Sequence, residues 1–182
     1  MLAENYIKRA LKILKKEYGN ENPKLIKLRI NLGLIFLFQE KDEYAEIMIK
    51  NALITAEKNY GRNSSKLSPI LYLLGTLYSK NHLYHKAEIE LEKALVIIEK
   101  KSVPSFKDYV KILIKLGDVY SKQEKYIKAE EIFNKAYTKL QNRYSEEHPK
   151  MAELFITLAT HNICKKNYEV ALNYLGSVPQ NC

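Results

Sequence analysis

An all-α array of stacked, antiparallel helix pairs is the fold this sequence predicts, and three observations predict it. Residues recur in register every 42 positions, apolar residues between the recurrences are spaced by three and four, and only 6 Gly and 5 Pro punctuate 182 residues. The recurrence is strictest in four columns. These are Gly33, Gly75, Gly117 and Ala159; Ala45, Ala87, Ala129 and Ala171; Ala10, Ala52, Ala94 and Ala136; and Leu32, Leu74, Leu116 and Leu158. Self-similarity at a fixed period of this length marks a repeat architecture, in which each unit buries its apolar face by stacking on its neighbours.

Along the chain, the spacing of Leu71, Leu74, Leu77 and Tyr78, and then of Ala87, Leu91, Ala94, Leu95 and Ile98, makes each repeat two amphipathic helices. Breaks at 40–43, 81–83 and 122–125 fall within repeats, and breaks at 18–23, 60–65 and 144–149 fall between them. The expected helices are 2–18, 24–39, 42–59, 66–80, 84–101, 105–122, 126–143, 148–164 and 168–176, nine in all. A glycine in mid-helix costs roughly 1 kcal/mol relative to alanine, so its recurrence implies close approach of a second helix. Because the fourth member of that column is Ala159, the requirement is smallness and not a positive φ.

The segments Leu74-Gly75-x-x-Tyr78 with Ala87, Leu91 and Ala94, and Leu116-Gly117-x-x-Tyr120 with Ala129, Phe133 and Ala136, resemble tetratricopeptide repeats. The 42-residue length, the longer second helix and the links at 18–23 and 144–149 are similar to the kinesin-light-chain type. The resemblance implies a right-handed α-solenoid, a tetratricopeptide superhelix, in a single array. That array divides into a half repeat 1–23, repeats 24–65, 66–107 and 108–149, and an incomplete final pair 150–182. It implies also a concave face lined by the first helix of each pair, and a role in holding a protein or peptide.

On that geometry the groove residues are Lys27, Ile30, Asn31, Leu34 and Leu37 in the first repeat and Tyr72, Thr76 and Ser79 in the second. The third contributes Lys111, Ile114, Lys115, Asp118, Ser121 and Lys122, and the fourth Ile156, Thr160 and Ile163. Neither the family's carboxylate clamp nor the paired asparagines of kinesin-light-chain grooves is reproduced. Asn31 aligns with Leu73, Lys115 and Thr157, and Ile30 with Tyr72, Ile114 and Ile156. Helix 24–39 stands apart because its apolar residues, from Leu25 to Phe38, wrap all sides. Either the neighbouring helices bury it, or it is an apolar patch for a partner helix, a peptide or a second copy.

The net charge of +9 is spread evenly and comes almost entirely from lysine, the arginines being Arg9, Arg29, Arg62 and Arg143. Phosphate and base recognition favours arginine forks, so this distribution argues against nucleic acid as the partner. A basic nucleic-acid-binding array and a structural subunit assembling through its ends are the alternatives to a protein-binding scaffold. The longest apolar stretch, 32–38, is far short of the roughly 20 residues a membrane span needs. The N-terminus has no secretion-signal pattern, and Cys164 and Cys182 form no disulfide framework, which together point to the cytoplasm.

No glycine-rich phosphate loop, dinucleotide fingerprint or nucleophile elbow occurs. His82 with His85, and His161 with Cys164, are spaced one turn apart, but two ligands do not close a metal site. Pairs such as Glu130 and Glu131 read as solvated helix faces. The expectation is a non-catalytic scaffold without cofactor or metal.

Overall fold

The structure is a computed structural model that describes residues 2–100 and 105–178, so Lys101, Pro179 and Cys182 lie outside the described residues. Nine α-helices form among them: α1 (Leu2–Tyr18), α2 (Lys24–Phe38), α3 (Asp42–Tyr60), α4 (Ser68–Lys80), α5 (Tyr84–Glu99), α6 (Phe106–Lys122), α7 (Tyr126–Gln141), α8 (Pro149–Cys164) and α9 (Tyr168–Gly176). The expected helices are all present, with ends displaced by a residue or two. One displacement has a clear cause. Residues Ser65–Leu67 form a 3-10 turn, because the Ser64 hydroxyl accepts from the Lys66 N–H and Pro69 sits in the first turn of α4.

Within each pair the reversal is made the same way four times. Glu40, His82, Glu124 and Lys166, again 42 residues apart, hold φ between 57° and 61°. The next N–H then reaches back past the end of the helix: Lys41 to the Phe36 carbonyl at 2.9 Å, Leu83 to Tyr78 at 2.9 Å, Lys125 to Tyr120 at 2.9 Å and Asn167 to Asn162 at 2.8 Å. This left-handed cap satisfies carbonyls that the helix leaves unpaired and turns the chain antiparallel.

The pairs α2–α3, α4–α5, α6–α7 and α8–α9 close on the small-residue columns. A Cβ added at Gly33 would lie 2.8 Å from Ile49, at Gly75 2.6 Å from Leu91, and at Gly117 2.4 Å from the Phe133 ring. None of the three has a positive φ, so smallness is what the column requires. Its fourth member tolerates a methyl because the residue 42 after Phe133, Leu175, is withdrawn and 46% exposed.

Between pairs, the first helices α4, α6 and α8 pack on one another more closely than the second helices do. The first helices therefore line the inside of the bend and the second helices the outside. One residue departs from its column. Arg29 stands where Leu71, Leu113 and Phe155 recur, and it is buried with them. Its guanidinium donates to the Asn20 carbonyl at 3.0 Å, to the Asn51 carbonyl at 3.1 Å and to the Thr55 hydroxyl, pinning the first link to α3.

Candidate functional site

On the inside of the bend, α4, α6 and α8 converge on a cavity of about 220 Å³ lined by Tyr72, Lys111, Ile114, Lys115, Asp118, Glu153, Ile156, Thr157 and Thr160. The period sets this arrangement, since equal positions on successive first helices must face the same side. Seven of the expected groove residues meet here. Thr76, Ser79 and Lys122 do not line the cavity, nor does Ile163, which is exposed elsewhere.

Burial sets two of the expected groove residues apart from the others. Ile114 is only 7% exposed, although it touches the cavity, because α6 has first helices on both sides of it. Ser121 is buried outright and bonds to His161 at 2.7 Å. The first-repeat residues Lys27, Ile30, Asn31, Leu34 and Leu37 also lie outside the cavity, since α2 does not pack on α4 as α4 does on α6. Ile30, Leu34 and Leu37 are half-buried, with Ile30 and Leu37 packed against the core. The apolar helix is thus largely covered, Phe38 alone standing clear at 89% exposure.

Glu153 and Thr157 were legible but not expected. They continue, 42 residues on, the columns of Lys111 and Lys115.

The polar groups of the cavity are arranged with few spare donors on threonine. Thr157 donates to the Glu153 carbonyl at 2.9 Å and Thr160 to the Ile156 carbonyl at 3.0 Å, so their oxygens face the groove as acceptors. Lys115 pairs with Asp118 at 3.2 Å, and Glu153 with Lys150 at 2.9 Å. What remains is an apolar floor of Ile114 and Ile156, a tyrosine, an ammonium at Lys111, and hydroxyl acceptors. That combination suits the backbone and an apolar side chain of a peptide.

The joints between repeats carry a second set of polar contacts. Glu4, Glu46, Glu88 and Glu130 form a column on the second helices, each bonding toward the end of the next first helix or the turn after it. Glu4 accepts from Gln39 at 2.9 Å, Glu46 from the Tyr78 hydroxyl at 2.8 Å, and Glu88 from Lys125 at 2.6 Å; Glu130 accepts from Lys165. Bonds from Lys8 and Gln39 pull the Glu4 carboxyl down to about 2. Burial pushes Glu46 and Glu88 up, but their lysine and hydroxyl partners outweigh it and hold both low, and the Lys165 bond lowers Glu130.

Glu130 is therefore a joint residue and not merely a solvated charge. Beside it, His161 is 2% exposed, and burial lowers its pKa against the opposing pull of Glu130. Ser121 gives its proton to the Gly117 carbonyl at 2.8 Å, so the His161 Nδ1–H donates to Ser121 and Nε2 is left 3.5 Å from Glu130. Serine, histidine and glutamate here serve packing, since the hydroxyl is closed to any substrate. Among the described residues no group of three or more metal-binding side chains gathers, and no helix is long and apolar enough to cross a membrane.

Residues 108–178 match the tetratricopeptide repeat family model, whereas no curated protein sequence matches the chain. Among solved structures, BtubC (BKLC) from P. vanneervenii is 27% identical with a TM-score of 0.72 over 78% of this chain. This chain spans only 57% of that protein's length. The Podosopora anserina kinesin light chain protein of nearly identical TPR-like repeats is 15% identical at a TM-score of 0.81, covering 96% of this chain and 82% of its own. YrrB, described as a TPR protein with an unusual peptide-binding site, is 18% identical at a TM-score of 0.63, covering 95% and 76%. The matched segment shares its 42-residue columns with the rest of the chain, and the described residues as a whole have the fold of tetratricopeptide-like repeat arrays.

Proposed function

We propose that the chain is a non-catalytic protein-interaction scaffold that holds a peptide or short helix of a partner in the groove between α4, α6 and α8. The observation that carries this reading is the convergence of Tyr72, Lys111, Ile114 and Ile156 from three separate helices on one cavity. A rigid row of first helices presents these side chains at fixed separations, which lowers the ordering cost of binding an extended ligand. The peptide-binding site of YrrB, on a related fold, supports the same reading. Nucleic acid fits the groove less well, because Lys115 is neutralised by Asp118 and Lys122 lies outside the cavity. The cytoplasm is the compartment that suits the free thiol of Cys164.

The test is capture of partners from native lysate by wild type and by a Tyr72→Ala/Ile156→Glu variant, with circular dichroism as a check on folding. Both substitutions fall on half-buried or exposed positions, so the variant is expected to fold and to lose the captured set. Identical capture by a folded variant overturns the proposal.

A further inference from the structure

A second cavity, about 720 Å³, opens on the outer side of the array between α1 and α3, with α2 as its base. Its floor is apolar: Leu11, Leu32 and Phe36 are buried at the bottom and Met48 is half-buried beside them. Leu32 and Phe36 lie on the side of α2 opposite Ile30, Leu34 and Leu37, as their spacing at about 100° per residue requires. The site is thus separate from the inner groove and stands or falls independently of it.

Its rim is basic. Lys8, Lys12 and Lys15 follow one face of α1 over about two turns, and Lys41 faces them from the start of α3. The one carboxylate in the rim, Glu4, is already engaged by Lys8 at 2.5 Å and by Gln39. Among the described residues, Lys12, Lys15 and Lys41 make no ion pair. The comparable cavity between α3 and α5, about 640 Å³, differs in kind: Glu57, Glu90 and Glu92 balance Arg62 and Lys93, and Lys93 pairs with Glu90 at 3.2 Å. The lysine rim is therefore not a general property of the outer face.

We infer that the α1–α3 groove is a docking site for an acidic amphipathic segment of a partner protein, its apolar side chains on Leu11, Leu32, Phe36 and Met48 and its carboxylates between Lys12, Lys15 and Lys41. Charge complementarity selects this occupant. A second copy of the chain brings a net charge of +9 to a basic rim and is repelled. A bilayer is flat and cannot reach a floor recessed between two helices. An aliphatic anion fills the floor but offers a single charge to three unpaired ammonium groups. A helix in the groove meets both requirements at once, with anchors at i, i+3 and i+7 and glutamates flanking them.

The probe is a fluorescein-labelled synthetic peptide of roughly four turns with leucine anchors at that spacing and glutamate flanks, titrated with the whole chain and followed by anisotropy. Saturable binding is expected, weakening as salt rises. Lys12→Glu/Lys15→Glu, two exposed positions whose exchange spares the core, is expected to weaken it by about tenfold or more. Tyr72→Ala/Ile156→Glu, which disables only the inner groove, is expected to leave it unchanged. The inference is overturned by absence of saturable binding, by equal binding of a peptide with lysine flanks, or by insensitivity to the Lys12/Lys15 exchange. It is overturned equally by loss of binding in the inner-groove variant alone, by preferential displacement with dodecanoate, or by sedimentation showing that the chain already occupies the groove as a dimer.

Discussion

At the residue scale, the glycine column sets two energies against each other. Replacing glycine by alanine in a helix gains about 1 kcal/mol of propensity, while overpacking a closed contact costs about 1–3 kcal/mol. At Gly33 the added carbon meets a single Ile49 carbon inside 3.0 Å, at 2.8 Å, so a shift of a few tenths of an ångström relieves it. At Gly117 it meets three atoms of the Phe133 ring between 2.4 and 2.7 Å, and a buried ring has nowhere to go. Gly117→Ala is accordingly expected to lower stability by about 1–2 kcal/mol and Gly33→Ala to leave it nearly unchanged. Urea melts of the two variants check the order, and a Gly117→Ala midpoint at or above wild type refutes it. The column itself was legible in the sequence, because smallness survives translation by 42. Arg29 was not: in its column of Leu71, Leu113 and Phe155 it looks like a surface lapse, and only the carbonyls of Asn20 and Asn51 show why a charge is buried there.

At the scale of the element, helix number and helix ends were readable because turn chemistry repeats with the columns. The conformation of the turns was hidden, since Glu40, His82, Glu124 and Lys166 are not residues that announce a positive φ. What they share is an unbranched β-carbon, whereas a β-branched side chain is strained at a positive φ. Glu124→Val is expected to destabilise the chain by about 1–2 kcal/mol, measured as a lower thermal midpoint with helicity retained at low temperature. Unchanged melting shows that the turn is not held left-handed in solution. Groove exposure was half legible for a related reason. Ile30, Tyr72, Ile114 and Ile156 occupy one column, yet Ile114 is 7% and Ile156 50% exposed. Position within a helix was encoded, whereas the number of neighbouring first helices was not.

At the scale of the molecule, the joints make stability depend on acid. His161 has a folded pKa below its ordinary 6.5, so the unfolded chain binds more protons as pH falls through that value, and stability drops. Glu46, Glu88 and Glu130 also titrate below their ordinary 4.5. Their stabilising contribution is complete above 4.5 and is lost as pH falls through their lower folded values. Denaturant midpoints measured from pH 8 to pH 3 are expected to fall in two stages, and His161→Gln to remove the first. A single stage in wild type, or two in the variant, contradicts the assignment.

The uneven packing of the first helices has a mechanical consequence. An array whose inner helices pack more closely from α4 onward than between α2 and α4 is a rod of unequal stiffness. It flexes most easily between its first and second helix pairs, where α3 against α4 is the main brace. A ligand too thick for the inner cavity is accommodated by bending at that place, and the rest of the rod keeps its curvature.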